Sequence, residues 1–190
     1  VNWIKYGTVA SLAEAGFECI MPDLRAHGQS SAPHDPAAYP HDVLVSDALA
    51  LVAALGLTDY DLVGFSLGAR TALGAVLAGL TPRRLGLGGM GLEGLTGWAR
   101  RSAHFVDAID RFGTIERGDP AFVAQAFMKT MNIDRIAARQ LLLSVQDIAP
   151  EAVSRVAMPT LVVCGADDGD NGSATALAAA LPNGAYAEVP

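Results

Sequence analysis

Residues Val63-Gly64-Phe65-Ser66-Leu67-Gly68-Ala69-Arg70 decide the reading of this chain. They contain the pattern G-x-S-x-G, which chance supplies about 0.1 times in a chain with this glycine and serine content. The setting sharpens the match. The apolar run at 60–65 reads as a strand, and the apolar-faced stretch 67–80, closed by Thr81-Pro82, reads as a helix. A serine on a tight strand-to-helix turn projects its oxygen above a sheet. The helix N-terminus then sets a backbone N–H, that of Leu67, beside a developing oxyanion. Gly64 and Gly68 are expected to be small because the two backbones crowd that turn. The plainer alternative is a glycine-rich turn carrying a solvated serine.

Outward from this stretch, strand and helix alternate. Helical spacing at 3–15 ends at Gly16, and an apolar run at 17–23 predicts a strand. Residues 24–40 read as a loop rich in Pro, Ser and His, and 41–55 as a helix. Further strands are expected at 85–90, 160–164 and 185–189, with a helix at 173–181. Continuous apolar strands between helices indicate a mostly parallel sheet with helices on both faces, an α/β fold. Residues 96–155 break the rhythm. They hold 15 of the 33 charged residues and no good strand. Three apolar stripes run through them: Phe105, Ile109 and Phe112; Val123, Ala126 and Phe127; Ile136, Leu141–Leu143 and Val145. The expected organisation is a core at 1–95, a small helical cap inserted at 96–155, and the rest of the core at 156–190.

Composition narrows the class. The 190 residues are 51 % hydrophobic and 17 % charged, with net charge −7. Mean hydropathy is +0.31 and the isoelectric point about 4.9. Such a chain can bury a core, which argues against disorder. No Lys/Arg cluster offers a nucleic-acid surface, and no uncharged apolar run is long enough to span a membrane. Cys19 and Cys164 each sit in an apolar run and are expected to be buried free thiols, with no zinc spacing and no disulfide framework. A reducing, cytoplasmic setting follows. Eleven Arg against two Lys and abundant Ala suggest a GC-rich bacterial gene.

A serine hydroxyl needs a base to take its proton and a third group to orient that base. Acids follow a predicted strand in Leu161-Val162-Val163-Cys164-Gly165-Ala166-Asp167-Asp168-Gly169-Asp170. Here the chain resembles the α/β-hydrolase superfamily. Gly64-Phe65-Ser66-Leu67-Gly68 looks like its nucleophile elbow. Asp23-Leu24-Arg25-Ala26-His27-Gly28-Gln29-Ser30 looks like its D-x-R-G-H-G-x-S loop, with Ala26 where Gly is usual. Residues 159–168 look like its P-x-L-x-x-x-G-x-x-D segment.

The resemblance implies Ser66 as nucleophile, Leu67 N–H as half of the oxyanion hole, and Asp168 as the triad acid, with Asp167 and Asp170 as alternates. Asp170 could instead cap the following helix. The resemblance also implies that the catalytic His and second oxyanion donor lie outside residues 1–190. The chain therefore reads as a fragment lacking both ends, inactive alone and poorly stable, with an exposed sheet edge or apolar face. The implied activity is hydrolysis of carboxylic esters of a small apolar substrate, with no metal or organic cofactor. The same likeness allows lactonases, C–C hydrolases and the cofactor-free perhydrolase/haloperoxidase-like group. It disfavours enzymes with an Asp nucleophile, epoxide hydrolases among them. A non-catalytic ligand-binding member of the fold is the alternative from another class. The oligomeric state is open.

Other features have plainer readings. Gly86-Leu87-Gly88-Gly89-Met90-Gly91 matches G-x-G-x-x-G, but its glycines occupy a predicted strand, so tight packing explains them better than a dinucleotide. The acidic stretch at 168–172 lacks the closing Glu of a calcium loop. Arg70, one turn past Ser66, is expected in a structural ion pair. Trp98, Phe105 and Phe112 could floor an apolar pocket or simply pack. His27 is expected to hold its own loop, His34 and His41 to be exposed, and His104 could line a pocket.

Overall fold

The structure is a computed structural model and describes residues 2–190. Four strands, β1 (Leu62–Phe65), β2 (Leu85–Gly88), β3 (Thr160–Gly165) and β4 (Gly184–Val189), pair in parallel in that order. Before β1 come α1 (Asn2–Lys5), α2 (Thr8–Glu14) and α3 (Val43–Ala54). Helix α4 (Leu67–Leu77) links β1 to β2. The β2–β3 connection holds α5 (Trp98–Asp110), α6 (Phe122–Thr130) and α7 (Arg135–Ser144), with no strand among its described residues. Helix α8 (Ala174–Ala180) links β3 to β4.

Alternation along the strands divides the sheet into two faces. Leu85, Leu87, Val162 and Cys164 point to one face. They pack with Leu73 and Val76 of α4 and with Leu177 and Ala178 of α8 into the main core. The register aligns Val63, Gly86 and Leu161, and likewise Phe65, Gly88 and Val163, on the other face. There Val63 is 54 % exposed, Phe65 52 % and Leu161 43 %. The expected parallel sheet with helices is present, and both α4 and α8 lie on its buried face.

Departures concentrate at the N-terminus. Residues 17–23 form no strand. A strand exists only where a neighbour takes its N–H and C=O groups, and the apolar run pairs with none. The helix expected at 3–15 is broken at Gly7, whose φ of +78 is left-handed, and α2 buries no residue. Cys19 is therefore half-buried rather than buried, while Cys164 is buried, and both thiols are free. No helix of the structure is long and apolar enough to cross a membrane.

Residues 96–155 build a second cluster around Ala108, Ile109, Ile115, Ala124, Met128 and Ala138. The Val123, Ala126 and Phe127 stripe faces outward, contrary to expectation. Helix α6 buries Ala124, Gln125 and Met128 instead. Gln125 tolerates burial because its amide is satisfied: Oε1 accepts from Gly113 N–H at 2.6 Å and Nε2 donates to Ile115 O at 2.9 Å. The other two stripes also split, with Phe105, Ile136 and Leu143 exposed. Helix α7 rests on the loop at 24–40, where Ala137 and Leu141 join Ala26, Tyr39, Val43 and Leu44. Asp42 latches its far end, accepting from Gln146 N–H at 2.9 Å and donating its own N–H to Ser144 O at 2.8 Å.

Candidate active site

Ser66 stands between β1 and α4 with φ 53 and ψ −115. A β-carbon makes positive φ costly, on the order of 1–3 kcal/mol, so surrounding structure must hold it. Two bonds do: Ser66 N–H donates to Gly88 O at 2.8 Å, and Arg70 N–H donates to Ser66 O at 3.0 Å. The Ser66 side chain is exposed at the carboxyl end of the sheet. Helix geometry leaves the first-turn N–H groups, Leu67 first, without partners inside the helix. The two glycines of the turn differ. A β-carbon on Gly64 would meet Gly68 O at 2.1 Å and Ala69 N at 2.5 Å, whereas one on Gly68 meets nothing within 4 Å. Crowding explains Gly64 alone. Gly86 and Gly88 are packing glycines of β2, as expected; β-carbons there would meet Val63 at 3.1 Å and Phe65 at 3.0 Å.

Two strands away, the acid loop leaves β3. Asp168 is half-buried, while Asp167 and Asp170 are exposed. Asp168 N–H donates to Gly165 O at 3.1 Å, and its Oδ1 accepts from Asp170 N–H at 3.2 Å. Asp170 does not cap α8; Ser173 does, accepting from Ala176 N–H at 3.0 Å. Asn171 ties the loop to the end of β2, donating Nδ2 to Gly89 O at 2.8 Å. Strands lie about 4.8 Å apart, so the ends of β1 and β3, from which Ser66 and the acid loop follow, leave a gap of roughly 10 Å. That gap is too wide for direct contact and suits one interposed side chain.

None of the four histidines fills it. His27 Nδ1 lies 3.0 Å from Arg25 O, inside its own loop. His34 Nε2 pairs with Asp134 at 2.8 Å, and this bond chiefly lowers the Asp134 pKa. His41 is exposed, and His104 stacks edge-on against Phe105. The loop around His27 is anchored by Asp23, which accepts from Gln29 N–H at 3.0 Å, and by a two-pronged Arg25–Asp47 pair at 2.8 and 2.7 Å. Ala26 takes φ +65 there, which explains why the related pattern carries glycine.

Arg70 is 3 % exposed and serves as a tie between segments more than as half of an ion pair. It donates to Gly94 O at 2.6 Å, to Leu95 O at 3.0 Å and to Gln146 O, with Asp147 at 3.6 Å. Its guanidinium lies 5.2 Å from the Trp98 ring. Burial is the main cause lowering its pKa; Asp147 and Asp42 oppose this, and the like charge of Arg101 adds to it. Asp147 also caps α5, accepting from Gly97 N–H at 2.9 Å and Trp98 N–H at 2.8 Å. No sequence pattern marked Asp147, because its partners are 49 and 50 residues away.

Two hollows adjoin these elements. One of about 340 Å³ lies between α3, α4 and residues 145–155, behind the elbow. The other, about 490 Å³, opens beside the acid loop and is lined by Glu93, Arg100, Arg101, Phe105, Asp170 and Asn171, with the glycines of the loop. Leu67 lines the first; neither Ser66 nor Asp168 lines the second, although it opens at the acid loop. Trp98 and Phe112 do not line it: Trp98 covers Arg70, and Phe112 packs into the cluster of residues 96–155.

The family model described as alpha/beta hydrolase fold matches residues 1–85. An epoxide hydrolase of Caballeronia sordidicola is 39 % identical over 67 residues, 35 % of this chain and 20 % of that protein. An N-formylmaleamate deformylase of Pseudomonas putida is 40 % identical over 76 residues, 40 % of this chain and 28 % of that one. The matches thus span less than a third of these curated relatives. An esterase structure from Exiguobacterium antarcticum superposes with a TM-score of 0.75 at 20 % identity, over 100 % of this chain and 78 % of that one. The chain has the α/β-hydrolase fold.

Proposed function

We propose that this protein is a serine hydrolase cleaving carboxylic esters of small, largely apolar substrates through an acyl-enzyme on Ser66. The observation that carries the reading is the left-handed, exposed Ser66 at the head of α4. Ser66 Oγ attacks the carbonyl carbon and its proton passes to a base. Leu67 N–H receives the oxyanion. Collapse expels the alcohol, which takes up that proton. Water then adds to the acyl-enzyme, releasing the acid and restoring Ser66. Asp168 orients the base. None of the four histidines is bonded to Ser66 or Asp168, which supports the reading that the base and a second oxyanion donor come from outside residues 1–190 and that these residues alone turn over no ester. Residues 96–155 serve as the cap. The setting is the cytoplasm and the partner a small molecule.

Epoxide opening fits less well. A hydroxyl nucleophile would leave a serine ether, which has no carbonyl for water to attack, whereas an acyl ester on Ser66 is readily hydrolysed. The test is fluorophosphonate labelling of the full-length protein with peptide mapping. The expected adduct sits on Ser66 and vanishes in Ser66→Ala. A full-length protein that stays unlabelled would overturn the acyl-transfer reading in favour of a non-catalytic, ligand-binding role.

A further inference from the structure

We propose that Asn171 is a positioning residue that seats the acid loop against the end of β2 and so sets Asp168 in register with Ser66, an inference that rests on the acyl-transfer reading. Two consecutive carbonyls carry it. Gly88 O accepts the Ser66 N–H at 2.8 Å, and Gly89 O accepts from Asn171 Nδ2 at 2.8 Å. One short piece of backbone therefore grips the nucleophile with one group and the acid loop with the next. That piece is itself tied to β3, since Gly89 N–H donates to Val163 O at 2.9 Å.

The acid loop needs such a grip. Gly165, Gly169 and Gly172 punctuate it and give it little stiffness of its own. Its internal bonds run from Asp168 N–H to Gly165 O, from Asp170 N–H to Asp168 Oδ1 and from Gly172 N–H to Gly169 O. Bonds so short in sequence shape the loop without fixing its angle to β2. Four bonds from residues 171–173 fix that angle, and all reach residues 89–94. Beside the Asn171–Gly89 bond, Asn171 O accepts from Gly94 N–H at 2.8 Å, and Ser173 O accepts from Leu92 N–H at 3.0 Å. Ser173 N–H donates to Glu93 Oε2 at 2.7 Å.

The fit is close. A β-carbon on Gly91 would meet Asn171 O at 2.6 Å, and one on Gly94 would meet Asn171 Oδ1 at 3.0 Å. The closing glycine of the G-x-G-x-x-G pattern at 86–91 thus makes room for the acid loop. The amide of Asn171 matters beyond its shape, because a carboxylate there would turn an acceptor toward Gly89 O. With the seat intact, Asp168 faces the base. If the loop swings away, the base loses its orientation and the negative charge that favours its protonated form.

The experiment follows hydrolysis of p-nitrophenyl butyrate by the full-length protein across pH. Asn171→Ala is expected to lower kcat at least about tenfold with KM within about twofold, since a misplacement of about 1 Å costs up to about a hundredfold in rate. The acidic limb of kcat/KM should move to lower pH by about half a unit or more, because the base loses a facing negative charge. Gly91→Ala, which wedges the loop from the opposite side, is expected to move kcat and the limb in the same directions. Asn183→Ala is the matched control. Asn183 Nδ2 donates to Ala157 O at 2.7 Å, so the same kind of bond is lost at the amino ends of β3 and β4. It should lower Tm comparably and move neither kcat nor the limb. Asn171→Ala added to Asp168→Ala should cause no further loss. Parental kcat and limb in Asn171→Ala refute the assignment while leaving acyl transfer standing. So does a fall in kcat with the limb unmoved, or a loss that multiplies with that of Asp168→Ala. A parent protein that hydrolyses no ester and takes no fluorophosphonate at Ser66 refutes both.

Discussion

Replacing Gly64 with alanine places a methyl group 2.1 Å from Gly68 O, 2.3 Å from Gly68 C and 2.5 Å from Ala69 N. All three are backbone atoms of the first turn of α4, so no side-chain rotation relieves the overlap. An acceptable contact of at least 3.0 Å requires strand and helix to separate by about 1 Å, the difference from the 2.1 Å approach. Overpacking of this kind costs about 1–3 kcal/mol. For a chain of this length, each kcal/mol moves Tm by about 2–4 °C. The displacement falls on the turn that aims Ser66, and a misplacement of about 1 Å costs on the order of 10²-fold in rate. Fluorophosphonate labelling of Ser66 should therefore slow about a hundredfold while the protein still folds, as judged by circular dichroism and urea titration. Gly68→Ala is the internal control. Its methyl enters open space on a helix, so it should raise stability by about 0.5–1 kcal/mol and keep labelling. Labelling of Gly64→Ala at the parental rate with an unchanged Tm would refute the crowding argument.

Two further outcomes follow from the geometry. Arg70→Leu leaves the carbonyls of Gly94 and Gln146 without their donor and removes one of two from Leu95 O, which keeps Ile148 N–H, so stability should fall by about 2–3 kcal/mol in urea unfolding; a loss below about 1 kcal/mol would show that solvent replaces the tie. Hydrogen bonds from Arg111, and secondarily Ala121 N–H, hold the Asp119 pKa at about 2, and Arg111 likewise lowers that of Asp107. Because the folded values lie below the ordinary carboxylate value of 3.8, the contribution is fully present above about pH 4 and disappears as the pH falls toward 2. NMR titration of the Asp119 carboxyl carbon should give a midpoint well below 3.8 that moves back up in Arg111→Gln; a midpoint at the ordinary value in the parent would contradict the pairing.

What the sequence disclosed was local, and what it hid depended on distant partners. The turn at 63–70 is specified within eight residues, because strand, serine and helix start are contiguous, and the structure places them as read. The acids after β3 are local in the same sense; Asp168 is half-buried and Asp167 and Asp170 are exposed. The Asp147 cap, the Arg25–Asp47 fork and the Asn171–Gly89 bond join residues 22 to 82 positions apart, and no periodicity signals them. The N-terminal error has the same origin. Residues 17–23 are apolar enough for a strand, yet apolarity does not supply the neighbour a strand needs.

The exposed sheet face can be argued from both directions. Val63, Phe65 and Leu161 form ridges on either side of Gly86 and Gly88, and parallel sheets are ordinarily covered on both faces. Ile4, Leu12, Phe17, Ile20 and Met21 are exposed on the segment whose predicted helix and strand are broken or missing. Among the described residues, both surfaces are left exposed. The elbow is insulated from this weakness. Its supports, Gly88 O, the first turn of α4 and the Arg70 ties, lie on β2 and the buried face, so the geometry of Ser66 survives although half of the sheet surface is open.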